Sequence, residues 1–223
     1  MNSQQLTRIG ALGGIISVVL QLGGQMLIQV GGQEPSFNAG TAEITEFFAN
    51  RDAQLAPVGG FIAGLGFIPF LWFLGVLWSR LRKSEESPGW LSAVALGSGM
   101  LIVAVQMAGA AGWMTAFART GDGIAGDVIR FQFDSGNFLF AASWVMIASL
   151  LIATAVVTFL YQALPKWTGW FGLVIAICLL IATANWFTAS DMLFIPVMLW
   201  WLWLIIVSVI LMRKGGRRAI KVE

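Results

Sequence analysis

Apolar residues run through this chain in long unbroken blocks, without the two-residue alternation of a half-buried strand or the narrow stripe of a surface helix. Crossing about 30 Å of hydrocarbon as a helix takes roughly 20 mostly apolar residues at about 1.5 Å each. Six blocks reach that length: residues 9–30, 58–78, 90–117, 137–161, 169–187 and 192–212. The last division rests on "TANWFTASDMLFIP", where Thr188, Ser190 and Asp191 interrupt an apolar length too great for one span. A membrane barrel would instead alternate in segments of about ten residues. The pattern predicts an all-α, polytopic membrane helical bundle of six transmembrane helices, forming one transmembrane domain over residues 1–223.

Composition agrees: 58% of the 223 residues are apolar and 11% are charged, against about a quarter charged in soluble domains. The charges then give the bundle a direction. With the N-terminus inside, the inner segments hold ten of the 13 basic residues, among them Arg80, Arg82, Lys83, Lys166 and the tail "RKGGRRAIKVE". Arg51, Arg119 and Arg130 fall in outer loops with most of the carboxylates. Positive-inside bias therefore predicts a multi-pass protein of the cell inner (plasma) membrane with cytoplasmic N- and C-termini. The basic tail reads as a topology anchor touching anionic lipid, not as a nucleic-acid site. The first helix is too long for a signal core and is expected to stay in the mature protein. Cys178, the single cysteine, sits inside the fifth block and reads as a small packing residue.

Two outer loops carry structure of their own. In "FNAGTAEITEFFANRDAQL", Thr41 is placed to cap a short helix whose apolar residues Ile44, Phe47, Phe48 and Leu55 share a face. It predicts either a lid over an outward opening or an amphipathic segment resting in the headgroup region. The other loop, "ARTGDGIAGDVIRFQFDSGN", has aspartates but lacks calcium-loop spacing. No metal is predicted.

At the inner turns, "SPGWLSAVALGSG" and "LPKWTGWFGLVIA" put Pro, Trp and Gly where a helix begins; Pro88 and Pro165 mark helix boundaries and Trp90, Trp167 and Trp170 suit an aromatic belt. With "AEITEFFANR" and "FLWFLGVLWSRLR", these stretches resemble a widespread family of small bacterial multi-helix integral membrane proteins, described as a domain of unknown function. The resemblance implies a bacterial inner-membrane setting and supplies no catalytic residue.

Candidate chemistry lies in the polar residues inside the spans. Gln21, Gln25, Gln29 and Gln33 stand four apart along the first helix and its exit. At about 1.5 Å per residue, Gln25 lies roughly 24 Å from the inner end, Gln106 about as high from Trp90, and Asn185 roughly 22 Å from Trp170. Three helices thus bring an amide to one layer, with Asn137 and Ser143 on the same outer side. The layer reads as interhelical hydrogen bonding or as the lining of an outward-facing polar cleft. Trp200 and Trp203 in "LWWLW" lie deep in the sixth span, and a buried indole N–H wants an acceptor. Gln21 and Trp200 share a depth of roughly 18 Å, so helices one and six are predicted neighbours, with Gln21 facing Trp200 and Trp203. Glycine pairs Gly10/Gly14 and Gly60/Gly64 predict close backbone approach, and Pro69 predicts a kink near Leu65.

Absences narrow the chemistry. There is no histidine, which removes imidazole ligation and Ser-His or Cys-His nucleophiles. No acid or base lies deep in a span, where proton and ion pathways carry them. The reading is a non-enzymatic binding or complex-forming membrane subunit without cofactor, with ligand-binding candidates Gln21, Gln25, Gln106, Asn185, Trp200 and Trp203. Its expected partners are the lipid bilayer and other membrane subunits or further copies of itself, with no nucleic acid. The alternatives are a small transporter or export accessory for an uncharged or amphipathic molecule, and an enzyme using Asp122, Asp127 or Asp134.

The charge bias makes a direct prediction. In intact cells, Ser36→Cys and Thr120→Cys should react with an impermeant thiol reagent, while Ser84→Cys should be protected; external labelling at position 84 would overturn the six-span topology.

Overall fold

The computed structural model describes residues 2–30, 34–49, 55–186 and 195–214. It is all-α over these residues: α1 (Ser3–Gln29), α2 (Thr41–Ala49), α3 (Leu55–Leu65), α4 (Phe67–Ser84), α5 (Trp90–Arg119), α6 (Gly126–Tyr161), α7 (Lys166–Trp186) and α8 (Ile195–Lys214). With α3 and α4 as the two halves of one span, six helices are long and apolar enough to cross a membrane. The polar break at Thr188, Ser190 and Asp191 lies outside the described residues.

The spans close into a ring in which α1 packs on α3 and α4, α5 on α4 and α6, α6 on α7, α7 on α8, and α8 on α1. Helices one and six of the bundle are therefore neighbours, as depth matching anticipated. The two halves of the second span, which bridges α1 and α5 in this ring, differ in how far they reach inward. α4 touches α1, α5, α6 and α8, whereas α3 touches α1, α4 and α5 and reaches neither α6 nor α8.

Proline explains the divergence. Pro69 has no N–H for the Leu65 carbonyl, and its ring crowds that oxygen. The helix stops at Leu65, tightens with the Gly66 N–H donating to the Ala63 carbonyl at 3.1 Å, and restarts where the Phe70 N–H donates to the Gly66 carbonyl at 3.3 Å. A Cβ at Gly66 would lie 3.0 Å from Gln21 Cγ and 3.1 Å from the Ser17 carbonyl, so the bend is seated against α1.

On the terminus side of the bend the interior is filled. Phe73, Leu74, Leu77 and Leu81 of α4 are buried among Trp144, Leu150, Leu151 and Val157 of α6, Ile175 and Leu179 of α7 and Val207 of α8. Trp200 stacks on Trp203 with centroids 5.5 Å apart. Gly10 and Gly14 let α1 approach Val76 and Phe73 of α4 and Ser208 of α8. The pair expected on the second span behaves differently. It is Gly59 whose Cβ would meet the Gly24 carbonyl at 2.6 Å, whereas Gly64 has nothing within 4 Å.

The largest departure from the expected spans is α6, which starts at Gly126 rather than near Asn137. At about 1.5 Å per residue it is roughly 54 Å long, well beyond a hydrocarbon core of about 30 Å. Its first turns and the end of α5 cradle α2: Ile44 and Phe48 are buried against Ala116, Ile129 and Phe133. The apolar face of α2 is thus spent on protein. Arg130 ties this cap down, donating to the Ala39 carbonyl at 3.1 Å and the Thr41 hydroxyl at 3.5 Å.

At the opposite end, Glu85 caps α5, its carboxylate accepting the Leu91 N–H at 2.9 Å and the Ser92 N–H at 2.8 Å. Burial alone would raise its pKa; the Ser92 and Leu91 amides and the nearby Arg82 outweigh burial and hold it below the usual 4.5. A depressed folded-state pKa contributes stability above the unfolded value and loses it as pH falls through the folded one. Detergent-solubilised protein should therefore lose thermal stability below about pH 4.5, and Glu85→Gln should be less stable at neutral pH with a smaller acid decrement. Parallel pH profiles for the two proteins would remove this role from Glu85.

Candidate functional site

Where α3 leaves the ring, the bundle keeps a cavity of about 200 Å³ on the α2 side. Its wall is drawn from α1 (Gln21, Gln25, Ile28), the second span (Gly60, Ala63, Gly64, Phe67), α5 (Gln106, Gly109, Ala110, Trp113, Met114), α6 (Gly136, Asn137, Phe140) and Trp201 of α8, with Glu34 from the following loop. Small residues create the space. Gly64 meets nothing, and a Cβ at Gly60 would reach only Met114, with Cε at 2.6 Å. Gly109 and Gly136 let α5 and α6 touch, each placed so that its Cβ would come within 3.0 Å of the other's carbonyl oxygen. Behind that contact the two helices run together, fixing Gln106 and Asn137 on adjoining walls.

Most of the lining is apolar, and its polar side chains are amides apart from the Glu34 carboxylate. The Gln21 Nε2 donates to the Ser17 hydroxyl at 2.9 Å, one turn down its own helix. The Gln106 Nε2 donates across to Ser143 of α6 at 3.0 Å. This second amide has an orientation fixed by proton counting. The Ser143 hydroxyl gives its single proton to the Phe140 carbonyl at 2.6 Å, so toward Gln106 it can only accept. The Gln106 Nε2 must face Ser143, and Oε1 is left without a partner among the described residues. Asn137 is 7% exposed, and neither it nor Gln25 has a side-chain hydrogen bond among the described residues.

The predicted residues divide accordingly. Gln21, Gln25 and Gln106 meet in this cavity. Asn185 does not line it; α7 packs on the far side of α6 and against α8. Trp200 and Trp203 belong to the filled half, where the Trp203 Nε1 donates to the Thr168 carbonyl at 3.1 Å. Of the two indoles that Gln21 was expected to face, Trp203 gives its N–H to Thr168, and the Gln21 bond that forms is the one from Nε2 to Ser17. Successive helical residues point about 100° apart, and it is Trp201 that turns to the cavity beside Gln21. Asn137 belonged to the amide layer by depth but was not among the candidate ligands; Trp113 and Glu34 carried no signal beyond residue type.

The aspartates of the alternative enzyme reading face elsewhere. Arg119 pairs with Asp122 at 3.4 Å on an exposed turn, and Arg130 with Asp134 at 3.5 Å beneath the α2 cap. No group of three or more Cys, Asp or Glu side chains suited to a metal ion occurs among the described residues.

No protein-family model, curated protein or solved structure matches this chain.

The bond between Gln106 and Ser143 joins two helices inside the bundle, and interhelical bonds of this kind contribute on average about 0.6 kcal/mol and at most about 2 kcal/mol. Gln106→Leu should lower unfolding stability in detergent by about 1 kcal/mol, and adding Ser143→Ala should cost little more. Full additivity of the two substitutions would mean that the bond is not formed.

Proposed function

We propose that this protein is a non-enzymatic binding protein of the membrane, holding one small uncharged or amphipathic molecule in the amide-lined cavity. The supporting observation is Asn137, buried in the cavity wall with no hydrogen-bond partner among the described residues. Its amide atoms are not sealed off, and a polar group facing a space inside the bundle needs a partner or water there, without which it costs about 1–3 kcal/mol. A ligand carrying a polar group on an apolar body supplies that partner. The size suits one too: a cavity of about 150 Å³ accepts benzene, and this one has about 200 Å³.

In this reading the termini are cytoplasmic, the α2 cap is extracytoplasmic, and the setting is the bacterial inner membrane that the charge bias and the motif resemblance favour. Exposed apolar side chains on the ring, such as Phe61 and Met100, contact lipid or partner subunits. The second reading, a small transporter or export accessory, draws support from the bend at Gly66, since broken spans beside a mid-bundle site are characteristic of carriers.

Asn137→Leu tests the proposal. Removing an unpaired amide in favour of an apolar group of similar size is neutral or stabilising, so the empty variant should unfold at the same temperature as wild type or higher. Mass spectrometry of protein extracted in mild detergent should find a lipid-soluble molecule with wild type and not with the variant. A variant that is less stable and retains the same small molecules would overturn the cavity as the binding site. Exchange of the bound molecule across proteoliposomes would favour the carrier.

A further inference from the structure

Resting on the cavity as a binding site, the arrangement of its walls points further, to the class of molecule it takes: we propose that the ligand is a lipid-soluble aromatic alcohol of the phenol type, whose ring lies among aromatic side chains and whose hydroxyl donates to Gln106 Oε1. Two observations carry this.

The first is the fixed polarity of Gln106. Amide orientation is ordinarily ambiguous, but here the Ser143 proton is committed to the Phe140 carbonyl, so Gln106 presents its oxygen rather than its nitrogen to whatever occupies the remaining space. A carbonyl oxygen can only accept. A ligand whose polar group is an ether, ester or ketone has no donor for it and would leave it unpaired, which costs about 1–3 kcal/mol. A hydroxyl donates to Gln106 and still accepts from Asn137 or Gln25, whose amides supply both functions. One hydroxyl thus matches the polar wall, whereas an anionic group would meet the Glu34 carboxylate and no Lys or Arg in this lining.

The second is the apolar wall. Phe67, Trp113, Phe140 and Trp201 reach the cavity from four different helices, so aromatic faces and edges surround the space from several sides. Aromatic pairs contribute about 0.5–1.5 kcal/mol beyond area burial, which an alkyl chain of equal size does not gain. The volume admits a single ring with a short substituent, about ten heavy atoms by comparison with the benzene cavity.

A probe series separates these elements. Binding of 4-propylphenol, its methyl ether, propylbenzene and 1-octanol is measured by tryptophan fluorescence and by thermal shift on full-length detergent-solubilised protein. Saturable binding of 4-propylphenol is expected, at least tenfold tighter than the methyl ether and tighter than 1-octanol. In Gln106→Leu the phenol and its ether should bind alike, while propylbenzene, no longer facing an unpaired acceptor, should bind at least as tightly as to wild type; Gln106→Asn, which keeps an amide, should restore part of the preference. Equal affinity for phenol and ether in wild type overturns the ligand class and leaves the cavity as a site. Equal affinity for 1-octanol overturns its aromatic part. A donor preference that survives in Gln106→Leu overturns the assignment to Gln106. Failure of any probe to saturate, together with unchanged signals in Asn137→Leu, overturns the underlying binding site itself.

Discussion

A single missing amide hydrogen organises this bundle. Were Pro69 an ordinary residue, its N–H would bond the Leu65 carbonyl and the second span would continue along one line into the ring centre on both sides of the bilayer. Because it does not, α3 and α4 part at Gly66, and only α4 enters the middle of the ring. Close packing can therefore be completed by large side chains on the terminus side, while on the other side α3 retreats toward α1 and α5. Gly24 and Gly59 make that retreat favourable, since the absence of both side chains lets α1 and α3 backbones meet. The cavity is the volume that the second span vacates.

Polar residues inside hydrocarbon must be reconciled with that void. Gln21 and Gln106 each use a serine hydroxyl, one on the same helix and one on the neighbour, which satisfies a donor and leaves an acceptor. Gln25 and Asn137 have no such anchor among the described residues. The structural and binding interpretations of the amide layer are thus not alternatives for a given residue. One end of Gln106 holds α5 against α6 while the other end belongs to the cavity, so a substitution there acts on folding and occupancy together. Asn137 separates the two, because its side chain contributes no bond between helices.

Depth was legible in the chain and azimuth was not. Rise per residue places Gln25, Gln106 and Asn185 at one level, and two of the three do meet. Asn185 is excluded because α7 lies behind α6, and nothing in an evenly apolar helix such as α7 marks which face turns inward. The same ambiguity separated Trp201 from Trp200 and Trp203, where a single step of about 100° exchanges the filled core for the cavity wall. The kink was readable because Pro69 has an unconditional backbone consequence, and the six spans because hydrocarbon thickness sets their length. The early start of α6 was hidden because "GDVIRFQFDSGN" is too polar to resemble a span; its helix is stabilised by Ile129 and Phe133 packing on α2, a contact between segments distant in sequence. Gly60 and Gly64 carried the spacing of a packing motif, yet that spacing serves equally to leave room.

The cap formed by α2 gives the α2 side its remaining constraint. Trp113 lines the cavity with one part of its surface and meets Phe47 and Phe48 of α2 with another, at centroid separations of 6.1 and 5.6 Å. It also packs on Phe133 of α6 at 5.5 Å. A residue held by both α2 and α6 has little rotameric freedom, so the shape of the cavity near Trp113 depends on α2 staying docked. That docking rests on the aromatic cluster and on Arg130, which reaches Ala39 and Thr41 at the start of α2 while pairing with Asp134 on its own helix. Among the described elements α2 packs on α5 and α6 alone, so displacing it would loosen Trp113 and the part of the cavity wall that Trp113 forms.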